Sequence, residues 1–501
     1  MRKIFCQKNL LVLILAWGLR FWPSAVGADD QFAVAQAQDH VFHAALIAAR
    51  SADIGPAQAL LDIAEPHPTA RPEALDLPAA KVSLTDLRLA LAQLTLVSGA
   101  NDQLLVLRAQ AQIQPRALTI SGGAISLAAL KRAAQDLPQP GGTALWGPQG
   151  LNVPLVIWQD AALQLRPGDQ LELSRPHGAF LLNFGQLTAD RAVLHAVGGT
   201  NPRAAGFRPF VATVGTGSAQ IWGSAFAGLG FGQTAAFSGV SFVNGGVFRP
   251  RHISEIIGSR FADIGGITLR GTTGAQLAGN LIVKARGPAV DLRGTEASHL
   301  SNNVIVDAAA RGAIRVTREA RGSVVRGNVL LANKGVGIEI GSAGPGTVVA
   351  GNLIWAQGQA AIAVTLTDCL RVTGNQLLAS GAKGITLRSV RQALLTDNRI
   401  ERSRSAGLAI TGQAASSQIA LHGNRFQANR SGISGAGSGA LLLSRNDFSQ
   451  QLPQIVAGDL AGQSAALLSD LYGVRPVHLT TPTSSEARRP TASCALWQEA
   501  M

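Results

Sequence analysis

The residues of this chain best suited to chemistry fall into two short columns set out by a repeat. Apolar pulses opened by Gly or Ala recur at Gly266-Ile267-Thr268-Leu269, Ala289-Val290-Asp291-Leu292, Ala313-Ile314-Arg315-Val316 and Gly337-Ile338-Glu339-Ile340, and continue from Ala361, Gly384 and Gly407. Side chains along an extended strand alternate, so Leu269, Leu292, Val316 and Ile340 face one way and their neighbours the other. If the pulses stack, one outward column reads Thr268, Asp291, Arg315, Glu339, Ala363, Thr386, and the next reads Arg270, Arg293, Thr317, Gly341, Thr365, Arg388. Arg270, Asp291, Arg293, Arg315 and Glu339 then share one patch, with Thr268 and Arg388 on the same face. Guanidinium groups in fixed array suit carboxylates, which they hold through paired hydrogen bonds. A row of cross-strand salt bridges on a solvated face is the other reading of the same residues. Proton abstraction would further need a base with an accessible neutral form. No histidine falls in either column; His252 and His299, one coil before and one coil after Arg270, are expected in turns, and the one tyrosine, Tyr472, lies outside the repeats.

What positions the columns is a second repeat. An asparagine, usually preceded by Gly and followed by apolar residues, returns at Asn280, Asn303, Asn328, Asn352, Asn375, Asn398, Asn424 and Asn446, at intervals of 22 to 26 residues. Short alternating strands at this period, separated by Gly, Asn and Ser turns, are the signature of a parallel β-helix, an all-β solenoid in which each repeat is one coil. A single coil cannot bury its apolar face, so the coils must stack. The asparagines are read as structural: Asn tolerates left-handed turns and can bond the same turn in the next coil, forming a ladder.

The chain divides by texture. Residues 1–28 read as a secretory signal, with Arg2, Lys3 and Lys8 ahead of an apolar run and Val26-Gly27-Ala28 as a small-residue cleavage site; the run is too short for a membrane span. Residues 29–145 are rich in Ala, Leu and Gln, and helices are expected over 41–64, 86–96 and, with Ser126 as cap, 126–134, forming a small N-terminal helical region that caps the solenoid. The β-helix is assigned to 146–450 and a closing cap and tail to 451–501, with a helix over 460–472 and a disordered, Thr-, Ser-, Pro- and Arg-rich stretch over 480–493. No later stretch is apolar enough to hold the exported chain in a bilayer.

The formal charge is +13, and removal of the four cations in 1–28 leaves +9. A basic exported protein suits an anionic partner. Nucleic acid is a poor candidate outside the cytoplasm, which leaves an acidic polysaccharide or an acidic protein surface; arginine-rich composition serving solubility alone is the bland alternative. Two acids, Asp291 and Glu339, are few for Ca²⁺, which takes roughly six or more oxygens, so neither metal nor cofactor is expected. With Cys6 lost with the signal, an exported chain permits a Cys369–Cys494 bridge, but a solenoid of this length needs no staple, and a buried Cys369 with a free Cys494 is the expectation.

Over roughly 117–411 the sequence resembles the periplasmic mannuronan C-5-epimerases of alginate-secreting bacteria. The resemblance begins ahead of the regular repeats, in Pro154 to Trp158, Ala162-Leu163-Gln164-Leu165, Leu171-Glu172-Leu173-Ser174, Gly178 to Gly185, Phe207-Arg208-Pro209-Phe210 and Ala227 to Phe231. It implies a right-handed β-helix, a periplasmic location, and an anionic polymer lying along one sheet. The chemistry it implies is inversion at carbon 5 of mannuronate, with a histidine of an Asp-Pro-His-Asp motif as base and an arginine one coil on neutralising the carboxylate. Here the motif falls on Thr268-Leu269-Arg270-Gly271, so the histidine position is Arg270, while the arginine position matches Arg293. The family's tyrosine-rich stretch is replaced by Phe237-Ser238-Gly239-Val240-Ser241-Phe242.

Three functions follow. One is a polysaccharide-binding or secretion-guiding protein with an epimerase fold and altered or lost catalysis, working beside other exopolysaccharide secretion proteins. Another is an active epimerase or lyase with a non-histidine base, for which Arg270 and Asp291 are candidates. The last is a structural scaffold of an export complex. Catalytic candidates are Arg270, Asp291 and Arg293; candidates for holding substrate are Thr268, Arg315, Glu339 and Arg388.

Overall fold

The computed structural model describes residues 78–480 and Cys494, apart from 100–102, 111, 140–143, 233, 246–249, 251, 310–311 and 452. The signal at 1–28, the helix expected over 41–64 and the stretch 481–493 lie outside the described residues.

Each coil contributes one strand to each of three parallel sheets, and the sheets hold 15, 14 and 14 strands; we call them I, II and III. One coil runs Ile267–Arg270 in sheet I, Gln276–Ala278 in sheet II and Leu281–Val283 in sheet III. The next begins with Val290–Arg293, paired parallel and in register with Ile267–Arg270. Leu269, Leu292, Val316 and Ile340 stack inward without solvent exposure. Each such burial is worth about 1.5–3 kcal/mol, which is what makes the stack self-supporting.

The tight bend between sheets II and III carries the asparagine ladder. The Asn280 amide donates to Asn303 Oδ1 at 2.9 Å, Asn303 to Asn328 at 2.9 Å, and the chain of bonds continues through Asn352, Asn375, Asn398 and Asn424 to Asn446. All eight side chains are buried, so the ladder supplies partners that water cannot. The left-handed residue is the one before each asparagine, not the asparagine itself: Gly279 (φ 63°), Asn302 (φ 55°), Gly327 (φ 64°) and Asp397 (φ 53°) occupy it. At Gly327 a Cβ would run into Asn302 Oδ1, which explains glycine there. A second, shorter ladder at the III-to-I turn, in which Asn429 donates to Gln451 Oε1 at 3.0 Å, leaves no obvious period in the sequence.

The solenoid starts early. Arg116–Ser121 pairs with Leu155–Ile157 in sheet I, and Gly123–Ser126 opens sheet II, both ahead of residue 146. Lys81–Asp86 pairs antiparallel with Arg116–Ser121 and closes that edge of sheet I. Among the described residues three helices belong to this end: α1 (Leu87–Ser98), α2 (Gln103–Arg108) and α3 (Leu127–Gln135). α3 starts at a Ser126 side-chain cap and puts Leu127, Leu130 and Ala134 into the solenoid's interior core, the plug that the sequence pattern leads one to expect. At the far end the expected helix shrinks to a 3₁₀ turn (Ala461–Gln463) and α4 (Ser464–Leu468), and Val477–Leu479 turns back antiparallel to close sheet II.

The cysteine expectation is corrected: Cys369 and Cys494 form a disulfide, with Cα atoms 5.6 Å apart. The solenoid's interior needs no staple, but its outer face on sheet II carries Leu394 and Ala420, and Cys494 packs with them.

Candidate functional site

The outer face of sheet I is the place where side chains with chemistry collect, and its first rungs are sealed. Outward residues Ala117, Val156, Leu182, Ala212, Val214 and Val243 are buried in one cluster with Leu87, Ala90, Leu91, Leu94 and Val97 of α1 and with Phe180, Phe207, Phe210, Phe231 and Phe237. α1 is well specified: Asp86 Oδ1 accepts from the Arg88 N–H at 2.9 Å, and Gly99, left-handed at φ 60°, ends it by donating to the Thr95 carbonyl at 2.8 Å.

Beyond Val243 the cover by α1 ends among the described residues. The register places Thr268, Asp291, Arg315, Glu339, Ala363 and Thr386 in one outward column and Arg270, Arg293, Thr317, Gly341, Thr365 and Arg388 in the next, as the sequence pattern predicts. Arg270 Nη1 donates to the Ser98 carbonyl at 2.8 Å, tying the last turn of α1 to the first open rung. Thr268 is buried and its hydroxyl accepts from Ser238 Oγ at 2.7 Å.

Asp291, Arg293, Arg315 and Glu339 form one chain of ion pairs. Asp291 Oδ2 accepts from Arg293 Nε at 2.7 Å and Nη2 at 2.6 Å, and Arg315 Nη1 lies 3.7 Å away. Arg315 Nε donates to Glu339 Oε2 at 2.8 Å. The Asp291 side chain is 2% exposed and Glu339 37%, with both arginines at 20%, so the guanidiniums border solvent above a sunken carboxylate. Asp291 Oδ1 is buried and has no partner among the described residues. Arg388 is exposed and sits four rungs from Arg293, roughly 19 Å at a rung spacing of ~4.8 Å, so the structure does not bring it to the cluster.

The histidines are off this face. His252 is exposed ahead of the strand Glu255–Ile257, and His299 lies within the strand His299–Ser301 of sheet II rather than in a turn. A histidine not singled out by the repeat, His195 on sheet III, is 2% exposed with neither ring nitrogen bonded among the described residues; burial lowers its pKa from 6.5 to about 4. Glu172 Oε1 is 4.0 Å from its Nε2.

A second charged cluster also escapes the repeat, because it sits in irregular III-to-I turns. Asp263 receives Arg208 Nη1 at 2.7 Å and also pairs with Arg286, whose other end donates to the Leu229 and Gly230 carbonyls. Burial lowers the Arg286 pKa, with Arg208 and Arg175 adding to the effect against Asp263. No fixed spacing joins these four residues, and only the recurring Arg in successive turns hints at them.

Stacked coils, three parallel sheets and an asparagine ladder define a right-handed parallel β-helix, and a family model described as "Right handed beta helix region" matches residues 232–354. A second model, "Periplasmic copper-binding protein (NosD)", matches 345–458. Among solved structures the chain is similar to the periplasmic alginate epimerase AlgG. One AlgG crystal structure, of a mutant, superposes with a TM-score of 0.60 at 19% identity, covering 77% of this chain and 95% of that one. Another AlgG structure gives 0.56 at 19% identity over the same shares. The A-module of Azotobacter vinelandii mannuronan C-5 epimerase AlgE4 gives 0.34 at 13% identity, over 67% of this chain and 84% of that one. The two AlgG likenesses establish the fold alone. No curated protein sequence matches the chain.

Proposed function

We propose that this is an exported, periplasmic β-helix protein that holds an anionic exopolysaccharide on the open rungs of sheet I, with the epimerase reaction altered or lost. The observation that carries the reading is the Asp291–Arg293–Arg315–Glu339 cluster at the head of an uncovered face. Arg293 and Arg315 each keep part of a guanidinium at the solvent boundary, where a uronate carboxylate can bridge them by charge-assisted bonds. Asp291 orients Arg293 through Oδ2, with Arg315 3.7 Å away, and so holds the guanidiniums at the surface along which the polymer lies. Thr268 and Glu339 flank this point, and Arg388 meets the same chain farther along.

Arg270, at the position where the resemblance implies a base, is committed to the Ser98 carbonyl. That geometry suits a positioning role and favours guidance over proton abstraction. Likeness to AlgG, a periplasmic alginate epimerase, supports a polyuronate as the polymer, and the disulfide supports an oxidising compartment. Among the described residues no helix is long and apolar enough to cross a membrane. Copper, which the NosD description names for that family, does not fit here. Over 345–458 the only imidazole is His422, bonded through Nδ1 to Ser444, and the only cysteine, Cys369, is in the disulfide. A copper site draws on several such soft or imidazole ligands.

The test is proton NMR of polymannuronate incubated in heavy water with the chain freed of residues 1–28. Unchanged mannuronate, without deuterium at carbon 5 or unsaturated ends, is the expected result. New guluronate signals or exchanged deuterium would establish an active epimerase and turn the search for its base to Asp291 and His252.

A further inference from the structure

The sealed rungs and the open rungs belong to the same sheet, so the boundary between them is a wall across the path of any ligand lying along the solenoid. α1 forms it. A helix with its side chains is ~10–12 Å across, more than twice the ~4.8 Å step between rungs. α1 is seated with little freedom: a Cβ on Gly245 would strike the Val97 carbonyl, a Cβ on Gly215 would lie 3.4 Å from the Val97 side chain, and Arg270 bonds the helix's terminal Ser98 carbonyl at 2.8 Å. Below the helix no room remains, since Ala212, Val214 and Val243 are buried against it.

On the other side of the wall the floor is level. After Glu339 the outward residues are Gly341, Ala363, Thr365, Thr386, Ala409 and Thr411, small side chains apart from Arg388. The ionic cluster is not spread along this floor. It stands on the rungs nearest the wall, with the Arg293 guanidinium one rung from Arg270.

The geometry points to a groove closed at one end, which seats the terminus of an anionic chain against α1 and lets the rest run out over the small-residue floor. The inference rests on the polysaccharide reading above and sharpens it: the ligand is a chain end, its terminal carboxylates at Arg293 and Arg315, and α1 sets which sugar meets Arg293. An internal stretch would have to climb over the helix within two rungs and would lose the paired bonds to one side or the other.

The test is isothermal titration of the chain freed of residues 1–28 with polymannuronate fractions of graded length, each at the same mass concentration. Binding through ends makes capacity follow the number of molecules. Tenfold shorter chains should therefore bind tenfold more protein per gram, down to the length that covers the open rungs. Capacity per gram that stays constant as the polymer is shortened would overturn the closed-end reading while leaving polysaccharide binding intact. Absence of binding at every length would overturn both.

Discussion

Sheet I carries two different surfaces on one backbone ladder. From Arg116–Ser121 to Val240–Val243 the outward side chains are Ala, Thr, Val, Leu and Ser beneath a helix and a bed of phenylalanines; over the strands that follow they are charged or small and lie beyond α1. The register does not change between the halves, so the difference is made by outward residues and by what lies on them. A solenoid's interior fixes its stability coil by coil, which leaves the outside of each rung free to be a second core or a ligand surface. The phenylalanine bed is the second core: Phe180 stacks on Phe210 at 4.6 Å between ring centres, and Phe231 on Phe237 at 5.4 Å.

The contrast can be broken from either side. Phe237→Ala in the sealed half removes a fully buried ring and should cost about 3–5 kcal/mol, read as a large drop in the denaturation midpoint. A midpoint shift smaller than that of a surface substitution would show that the outer bed is not a core.

The coils that carry the sealed rungs should also titrate, through a residue of their sheet III strands. His195 is held neutral by burial, so the folded form binds its proton only near pH 4 while the unfolded chain binds it near 6.5. Stability from this site is complete above pH 6.5 and falls as the pH drops toward 4, by up to about 3 kcal/mol. His195→Leu should flatten stability between these limits, and a slope equal to that of the parent protein would place the titration elsewhere.

At the boundary, Arg293→Ala leaves Asp291 sunken with only the longer Arg315 contact, at a cost of about 2 kcal/mol. Arg293→Met together with Asp291→Leu should recover most of that loss, since an apolar pair replaces the buried charges, yet still fail to bind polyuronate. Arg270→Ala removes one bond to the end of α1 and should cost about 1 kcal/mol, seen as faster amide exchange in the last turn of the helix. Thr365→Ala on the open floor should change stability by less than about 0.5 kcal/mol.

The regular coils were legible in the sequence because two periods coincide there, the asparagine every coil and the alternation within each pulse. Those periods also gave the columns, and hence the cluster, by residue. The helix over 86–96 was legible as α1, but its seat on the first rungs was not, since the Phe-rich turns carry no period and the covering of sheet I depends on contacts between segments far apart in the chain, such as Val97 with Gly245. For the same reason the Arg208–Asp263–Arg286 cluster stayed hidden, and the Cys369–Cys494 bridge, permitted by the sequence, was set aside because nothing in a repeat places Cys494. The placement of Arg270 against Ser98 shows the limit most clearly, because the column assigned its rung and only the helix above it assigned its partner.

The central claim is that the guanidiniums at the head of the open rungs hold an acidic polymer. The most direct measurement is a binding titration of polymannuronate against the parent chain and Arg293→Ala at low and high salt, with neutral dextran alongside. The account predicts binding to polymannuronate alone, weakened by salt and lowered at least tenfold by the substitution; equal affinity in parent and variant, or equal affinity for dextran, would contradict it.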